Sequence, residues 1–357
     1  MIITKNQKLS TPSDFDWMFR CAQDVWEELR DVRLFLTGGT GFFGRWLLES
    51  LVTANQQLNL NSEILVLSRN PGAFAKLAPH LANNPAITFQ TGDVRNFDFP
   101  QKKITHIIHA ATTTAEETYF GADPLVKFDT IVVGTRRVLD FAVYCKARKF
   151  LLTSSGSAYG TQPLDMTHMP EEYSGGPETT NRDFEKSALG EGKRAAELLC
   201  TIYQNAFGIE VKIARCFSFV GPGLPLDIHY AIGNFIRDLL KGGSIQVSGD
   251  GTPVRSYLYI TDLVQWMWTI LVFGRPGRMY NVGSDQEISI KDLAKMVAYC
   301  SNLECEVLLD DNSSSNHCNN RYVPSIKRAR EELNLDVMTP LKSAITNTYK
   351  FYNKQKS

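Results

Sequence analysis

A glycine-rich turn near the start of the chain has the composition and spacing of a phosphate-binding loop. In "TGGTGFFGRWLLESL", Gly38, Gly41 and Gly44 follow a short apolar run and open a segment with helical spacing. Glycines let the backbone turn tightly and approach a pyrophosphate, and the following helix offers free N–H groups at its positive end. The pattern predicts a dinucleotide site, to which Phe42 and Phe43 of the same turn also belong.

Further segments indicate how the dinucleotide would lie. The second apolar run ends in Ser68 and Arg69, where an acidic residue would favour NAD. An arginine at this place suits a 2′-phosphate, so NADP is favoured over NAD. The other predicted cofactor contacts follow the third and fourth apolar runs: Asp93 and Val94 in "GDV", and Ala110 and Ala111 in "HAA".

The elements that must position these residues alternate between strands and helices. The candidate strands are "RLFLT", "EILVLS", "ITFQT", "ITHIIHA", "KFLLTSS" and "EVKIARC". The candidate helices between them include "GRWLLESLVTA", "TIVVGTRRVLDFAVYCKA" and "GKRAAELLCTIYQNAF". Near-continuous apolar strands alternating with helices predict an α/β fold, a Rossmann-like doubly wound parallel sheet with ligands at its carboxyl edge.

Three regions follow from this pattern. Residues 1–30 form an N-terminal extension with one predicted helix over about 12–30, and residues 31–216 form the dinucleotide-binding domain. After residue 216 the regularity gives way to Gly/Pro-rich turns and short elements. We therefore expect residues 217–357 to be mainly a smaller substrate-binding region, interleaved with the Rossmann domain. The stretch "DDNSSSNHCNN" is predicted to be a polar loop.

Composition limits the partners. Lys+Arg and Asp+Glu are both 38, so the chain has no net charge that would favour nucleic acid or an anionic membrane. No apolar run has the length of a signal peptide or a membrane span. The cysteines number seven, an odd count without CxxC pairs, which speaks against a metal site and favours a reduced, cytoplasmic protein.

The ordered segments make the chain resemble the extended short-chain dehydrogenase/reductases, specifically the NAD-dependent epimerase/dehydratase family that acts on nucleotide sugars. The resemblance covers about residues 32–350 and includes "LLTSSGSAYG", "GKRAAE", "RCFSFVGPG", "GDGTPVRSYLYITDLV" and "YNVGS". It implies a nucleoside-diphosphate sugar as substrate. It also implies a homodimer formed through the helices at about 125–147 and 188–207.

The resemblance further implies a catalytic set of a serine or threonine, a tyrosine and a lysine. Ser155 occupies the serine position and Lys193 the lysine position, where it would also bind the nicotinamide ribose. The tyrosine position is Leu189, which cannot exchange a proton. The nearby candidates for a replacement are Tyr159, Tyr173, Ser187 and water.

On the substrate side, the resemblance places Arg255 at the arginine that meets the nucleotide diphosphate, with Arg321 as a second member of the clamp. Ser218 stands where the family often has an asparagine, and Asn234 is a further candidate lining the site. No catalytic role is assigned to three scattered histidines, His109, His168 and His229.

The residues after Ser155 narrow the chemistry. Dehydratases of the family carry an Asp-Glu pair directly after the hydroxyl residue, and the related decarboxylases keep the glutamate; here these positions are Gly156 and Ser157. A 4-ketoreductase or 4-epimerase, which moves one hydride and one proton at sugar C4, is therefore favoured, with a role in supplying sugars for surface polysaccharide. The alternatives are a dehydratase or decarboxylase, or a catalytically impaired NAD(P) and nucleotide-sugar binding protein.

Overall fold

The structure is a computed structural model. It describes residues 8–11, 13–113, 117, 121, 123–180, 184–228, 230–300, 305–310 and 320–354. His229 and nearly all of the predicted polar loop at 310–320 lie outside the described residues.

The centre of the molecule is a parallel sheet of seven strands. Its strands are β1 Arg33–Thr37, β2 Glu63–Ser68, β3 Ile87–Thr91, β4 His106–His109, β5 Lys149–Ser155, β6 Glu210–Cys216 and β11 Arg278–Val282. They lie in the order β11-β6-β5-β4-β1-β2-β3, with the chain reversing direction across the sheet after β3. Because both faces are covered, the inner strands are buried almost throughout, as their near-continuous apolar sequences predict. The Rossmann-like doubly wound sheet is confirmed.

Helices flank this sheet. Their bounds are α1 Ser13–Cys21, α2 Gln23–Glu28, α3 Phe42–Leu58, α4 Pro71–Leu77, α5 Pro79–Ala82, α6 Pro124–Tyr144, α7 Phe184–Phe207, α8 Ala231–Lys241, α9 Ile260–Phe273, α10 Ile290–Cys300, α11 Lys327–Leu333 and α12 Leu341–Asn353. The three helices predicted from apolar spacing correspond to α3, α6 and α7, each extended by the structure at its N-terminal end. No helix in the described part of the chain is both long and apolar enough to cross a bilayer.

The C-terminal part of the chain forms small sheets at the edge of the main one. Their strands are β7 Phe219–Val220, β8 Ile245–Ser248, β9 Val254–Ser256, β10 Leu258–Tyr259, β12 Glu287–Ser289, β13 Val307–Asp310 and β14 Arg321–Tyr322. β9 lies between β12 and β14 in a three-stranded sheet, while β10 pairs with β7 and β13 with β8. Since β11 comes from the same part of the chain and completes the main sheet, the two regions share one sheet.

The N-terminal extension differs from its prediction in one respect. The predicted single helix is two helices, α1 and α2, because the backbone leaves helical geometry at Ala22, with φ −136° and ψ 45°. The extension is held by aromatic contacts: Phe15 meets Trp46 of α3 at 5.9 Å between ring centroids, and Trp26 meets Trp268 of α9 at 6.1 Å. These buried rings attach the extension to the helical face of the sheet.

Candidate active site

The glycine turn between β1 and α3 contains glycines of two kinds. Gly38 has φ +73°, and a Cβ added there would lie 2.5 Å from the carbonyl oxygen of Ala110. A Cβ on Gly44 would lie 2.3 Å from the oxygen of Gly38. Gly41, in contrast, is exposed, and its added Cβ would meet only the oxygen of Gly38, at 3.4 Å. The fold itself requires Gly38 and Gly44, whereas Gly41 keeps open the space in front of the N-terminus of α3.

A buried hydrogen-bond chain fixes the neighbouring turn after β4. Thr37 Oγ1 accepts from the amide of Ala111 at 3.1 Å and lies 2.7 Å from Nδ1 of His109. His109 Nε2 lies 3.0 Å from Oγ1 of Thr135. Burial lowers the pKa of His109 to about 3, so the ring is neutral and one ring nitrogen donates to its threonine while the other accepts. The histidine therefore holds Ala110 and Ala111 in place rather than moving a proton.

The residues predicted to meet the adenosine end lie along the same edge. Ser68 is buried at the end of β2, and the Arg69 guanidinium is exposed, 2.9 Å from a carboxylate oxygen of Glu117. Asp93 forms a bidentate pair with Arg95, at 2.9 and 3.0 Å, and the hydrogen bond from Arg95 lowers the pKa of its carboxyl group. Each predicted polar contact thus already has a protein partner, which a bound nucleotide would share or displace.

The apolar members of the predicted cofactor set have packing roles. The rings of Phe42 and Phe43 are 5.8 Å apart and half-buried, and Phe43 packs edge-on against Phe219 at 4.9 Å. Val94 is buried; its Cγ1 would lie 2.9 Å from a Cβ added to Gly134 of α6. The phenylalanines therefore fix the start of α3 against Phe219, and Val94 fixes the turn after β3 against α6. An open glycine, free of a side chain, before a 17-residue helix fits a pyrophosphate.

Ser155 lies at the carboxyl end of β5, where the chain enters a short 3₁₀ turn over Gly156–Tyr159. Its Oγ accepts from the amide of Ser157 at 3.1 Å. The hydroxyl of Tyr322 on β14 lies beside the next residue, because a Cβ added to Gly156 would be 2.5 Å from it. Ser155 therefore lies at the sheet edge next to the place where β14 brings in a tyrosine.

Lys193 reaches the same edge from α7. Its Nζ donates to the carbonyl oxygen of Thr153 at 2.7 Å, two residues before Ser155, and the side chain is buried. Burial lowers the pKa of Lys193 to about 8, while the charge of Glu197 opposes that shift. The structure therefore brings the predicted serine and lysine to neighbouring places.

Leu189 is half-buried one turn before Lys193 and packs against the apolar cluster between α6, α7 and the sheet. Two of the predicted replacements, Tyr159 and Ser187, are engaged elsewhere. Tyr159 is buried and its hydroxyl donates to Oδ1 of Asn281 at 2.8 Å. Ser187 Oγ donates to the carbonyl oxygen of Glu178 at 2.6 Å. Tyr173 is half-buried, with its ring 6.3 Å from that of Tyr159.

A buried ion pair behind the site was missed by sequence reasoning. Glu197 on α7 binds Arg215 on β6 through two hydrogen bonds of 2.5 and 2.8 Å, and it also accepts from Ser154 at 2.5 Å. The Arg215 guanidinium covers the ring of Tyr159 at 4.1 Å. The available signals were an arginine in an apolar strand and a glutamate one turn after Lys193 on α7. The pair ties α7 to the sheet directly beneath Ser155.

The two arginines predicted to clamp the diphosphate point to opposite faces of one small sheet. Tyr322 is the register partner of Arg255, and Arg321 is the partner of Val254. Since side chains alternate along a strand, Arg255 and Tyr322 share one face, and Arg321 lies on the other, paired with Glu287. Arg255 Nη1 donates to backbone carbonyls at 2.7 and 2.8 Å. Arg255 therefore joins the Ser155 side of the sheet, and Arg321 does not.

The remaining predicted substrate residues lie on either side of β7. Ser218 is half-buried directly before this strand, and its carbonyl oxygen accepts from Leu258 of β10 at 3.0 Å. Asn234 is on the first turns of α8, where Oδ1 accepts from Arg237 at 3.1 Å. His168, to which no catalysis was assigned, lies 3.0 Å from the carbonyl oxygen of Asp285. Within the described residues, no group of three or more His, Cys, Asp or Glu could hold a metal ion.

The fold and this edge define a Rossmann-type nucleotide-binding protein. The family model described as NAD dependent epimerase/dehydratase family matches residues 34–283, and the chain belongs to this family.

Named relatives of the chain act on nucleotide sugars. UDP-glucuronic acid decarboxylase 1 of Arabidopsis thaliana is 29% identical over 314 residues, covering 88% of this chain and 68% of that protein. UDP-glucuronic acid decarboxylase 6 of the same plant is 28% identical over 315 residues. The match covers 88% of this chain and 87% of that protein.

Solved structures share the fold. The UDP-glucose 4-epimerase of Thermotoga maritima superposes with a TM-score of 0.76 at 18% identity, covering 91% of this chain and all of that one. The dTDP-glucose 4,6-dehydratase of Streptomyces venezuelae, with NAD bound, superposes with a TM-score of 0.74 at 24% identity. The match covers 90% of this chain and 97% of that one.

Proposed function

We propose that the protein is an NAD(P)-dependent nucleotide-sugar enzyme that transfers a hydride at sugar C4, with 4-keto reduction or 4-epimerisation favoured. The observation that carries the proposal is the environment of Ser155. Its side-chain oxygen accepts a hydrogen bond from the backbone amide of Ser157. Dehydratases of the family place two carboxylates directly after this residue, and here Gly156 and Ser157 take their places.

When bound, the nicotinamide cofactor supplies or takes up the hydride at the sugar carbon. The residues of the chain do the remaining work. The open turn at Gly41 and the N-terminus of α3 receive the pyrophosphate, and Ser155 holds the reacting oxygen. The buried ammonium of Lys193 stabilises negative charge at that edge, and Arg255 faces it from β9 to receive the diphosphate of the sugar nucleotide.

Cofactor choice is part of the same proposal. Arg69 at the end of β2 is exposed and positively charged, as a 2′-phosphate requires, which favours NADP. The solved structures of the Streptomyces venezuelae dehydratase and of a UDP-glucuronic acid 4-epimerase of Bacillus cereus contain NAD. NAD is thus the competing cofactor. The cytoplasmic location remains a prediction that rests on the use of cysteine.

Decarboxylation is the second candidate, because the named relatives are UDP-glucuronic acid decarboxylases. The residue at position 157 disfavours decarboxylation. The decarboxylases keep a glutamate there, whereas this chain has Ser157, whose amide binds Ser155. The experiment on function must therefore include a glucuronic acid substrate.

The test is a panel of UDP-glucose, UDP-glucuronic acid, dTDP-glucose and their 4-keto derivatives, incubated with NADP(H) or NAD(H). Products are identified by mass spectrometry and proton NMR. The wild type is compared with Leu189→Tyr, which restores the family phenol, and with Leu189→Phe, which adds the ring without the hydroxyl. We expect the wild type to reduce a 4-keto sugar or to epimerise a sugar at C4.

The three proteins distinguish the candidate functions. Conversion only by Leu189→Tyr would show that proton transfer is lost in the wild type. Release of carbon dioxide from UDP-glucuronic acid would replace our proposal with decarboxylation. Cofactor binding without conversion by any of the three proteins would favour a binding protein instead.

A further inference from the structure

Helix α7 holds the end of β5 at two consecutive residues. Lys193 Nζ donates to the carbonyl oxygen of Thr153 at 2.7 Å. Glu197 accepts a hydrogen bond of 2.5 Å from Oγ of Ser154. Lys193 and Glu197 are four residues apart, so they lie on the same face of α7. The next residue of the strand after these two contacts is Ser155.

Glu197 also joins β5 to β6. Ser154 and Arg215 are register partners on these neighbouring strands. The carboxylate accepts from Arg215 Nε at 2.8 Å and from Nη2 at 2.5 Å. Because one carboxylate binds both members of a register pair, it fixes α7 against two strands at the same level. The next register pair is Ser155 and Cys216, so this anchor lies one residue before Ser155.

Arg215 extends the network to the turn after Ser155. Its guanidinium covers the ring of Tyr159 at 4.1 Å. Tyr159 is the last residue of the 3₁₀ turn Gly156–Tyr159, which starts directly after β5. The network therefore contacts the chain on both sides of Ser155, through Ser154 before it and through Tyr159 after it.

The burial of these charges indicates a role in alignment. Glu197 is 7% exposed and Arg215 is 5% exposed. Desolvation makes a buried ion pair often no more stabilising than apolar residues of similar volume. Apolar residues would, however, hold α7 to the sheet without specifying where along the strands it lies. Three hydrogen bonds to one carboxylate specify a single position.

We infer that Glu197 is a positioning residue for the proposed reaction and holds Ser155 and Lys193 at a fixed separation. It acts on Ser155 through Ser154, and on Lys193 through the turn of α7 that they share. The inference rests on the proposed function, in which Ser155 holds the reacting oxygen and Lys193 stabilises negative charge beside it. Misplacing a group by about 1 Å can lower a rate by about 10²-fold, so a looser strand end would reduce turnover.

Glu197 also bears on the charge of Lys193. Burial lowers the pKa of Lys193 to about 8, and Cys216 and Glu197 oppose this shift. Burial raises the pKa of Cys216 to about 12 and raises the pKa of Cys200 as well, so both thiols are neutral where the lysine titrates. The ring of His109 is neutral there too, because burial lowers its pKa to about 3. Glu197 is therefore the charged neighbour that favours the ammonium.

The first test removes the tie between Glu197 and β5. Ser154→Ala deletes the hydroxyl and leaves both hydrogen bonds from Arg215 in place. With the substrate and cofactor that the panel identifies, we expect kcat to fall by about 10–10²-fold, while KM and the cofactor Kd stay near their wild-type values. The matched control is Ser62→Ala, at a buried serine on the amino edge of the sheet whose hydroxyl donates to the carbonyl oxygen of Leu29. This control should keep the wild-type kcat.

A double variant separates alignment from stability. Glu197→Met combined with Arg215→Met removes both charges and leaves neither of them unpaired. We expect its melting temperature to be at or above that of the wild type, and its kcat to fall at least as far as in Ser154→Ala. The control combines Glu210→Met with Lys212→Met, which removes an ion pair of 2.7 Å near the amino end of the same strand. It should keep the wild-type kcat.

A third readout needs no turnover. In protein labelled with [ε-¹³C]lysine, the resonance lost in Lys193→Met is that of Lys193. We expect its titration midpoint, about 8 in the wild type, to fall in Glu197→Gln, because the charge that favours the ammonium is removed. Glu210→Gln, at the other end of the sheet, should leave the midpoint in place.

The outcomes are distinct. An active wild type whose kcat is shared by Ser154→Ala and by the Glu197, Arg215 double variant would overturn the inference. Equal losses of kcat in Ser154→Ala and Ser62→Ala would also overturn it, because they would show a general effect on packing, and so would an unmoved Lys193 midpoint in Glu197→Gln. A wild type that converts nothing on the panel overturns the proposed function instead, and the lysine titration then decides alone whether Glu197 acts on Lys193.

Discussion

At the scale of single residues, Lys193 shows what burial does to a charge. Below pH 8 both the folded and the unfolded chain carry the ammonium, and the folded chain bears the cost of burying it. Between pH 8 and 10.5 the folded chain releases the proton first, because burial lowers the pKa of Lys193 to about 8 from 10.5. The unfolded state then binds more protons, so this group's contribution to stability rises with pH.

The prediction is that wild type gains stability relative to Lys193→Met as pH rises. Between pH 7.5 and 9.5 the difference in the free energy of unfolding should shift by about 1–2 kcal/mol in favour of wild type. Urea unfolding at the two pH values measures it. Lys241→Met, on the exposed part of α8, controls for loss of a surface charge. A difference that does not change with pH would show that the ammonium is not desolvated.

Arg69 is the residue that we propose distinguishes NADP from NAD. Its pair with Glu117 is exposed on both sides, and such pairs contribute about 0–1 kcal/mol, so a 2′-phosphate can displace the carboxylate. We expect Arg69→Ala to weaken NADP binding about tenfold, or about 1.4 kcal/mol, and to leave NAD binding almost unchanged. Glu117→Gln should tighten NADP binding slightly. Titration of both proteins with both cofactors measures these changes, and equal losses for NAD and NADP would show that Arg69 does not read the 2′-phosphate.

At the scale of elements, the β1–α3 turn separates a folding role from a binding role. In Gly44→Ala the new methyl group would lie 2.3 Å from Gly38 O and 2.4 Å from Gly39 Cα, so backbone must move. We expect a loss of about 1–3 kcal/mol in the free energy of unfolding. In Gly41→Ala the nearest atom is at 3.4 Å and φ is −84°, which suits any L-residue, so stability should stay close to wild type.

Gly41→Ala, which should keep its stability, should instead lose affinity for NADP. A methyl group on Gly41 stands in front of the N-terminus of α3, where the pyrophosphate approaches, so Gly41→Ala should bind NADP at least about tenfold more weakly. Thermal melts with and without NADP measure both effects. If Gly41→Ala binds as wild type does, the dinucleotide does not cross this turn.

The sequence predicted the elements whose signal is local. Five of the six candidate strands have the predicted bounds, because near-continuous apolar runs mark the strands of a parallel sheet covered on both faces. The sixth, β4 at His106–His109, is shorter than the predicted 104–110. The edge strand β11 was missed, since Arg278 and Met279 at its start are half-buried and interrupt the apolar run. The break at Ala22 was missed because apolar spacing continues across it.

The sequence predicted only those site residues that lie in segments resembling the family. Ser155 and Lys193 follow from the resemblance to the family. Tyr322 and the separation of Arg255 from Arg321 do not, because they depend on the register of the two-residue strand β14 against β9. A shift of one residue would exchange the faces, and no periodicity in so short a strand fixes the register.

At the scale of the whole molecule, α6 and α7 present apolar side chains outwards. Leu198 and Ile202 of α7 are 61% and 50% exposed, and Val133 of α6 is 45% exposed. Residues four apart lie on one helix face, and the opposite face of α7 carries the buried Lys193 and Glu197. The same helix thus holds the site inwards and offers an apolar face outwards, which supports the homodimer that the resemblance implies.

The double variant Leu198→Asp, Ile202→Asp tests this interface. Two carboxylates in an apolar contact between copies would be desolvated without partners, which costs several kcal/mol, so the dimer should dissociate. We expect the wild type to have the mass of a dimer by light scattering after size exclusion and the variant to have the mass of a monomer. Tyr299→Asp, at a 68% exposed residue of α10, should stay dimeric. Because Lys193 faces inwards, the monomeric variant should still bind NADP, whereas a wild type with the mass of a monomer would remove the homodimer from the proposal.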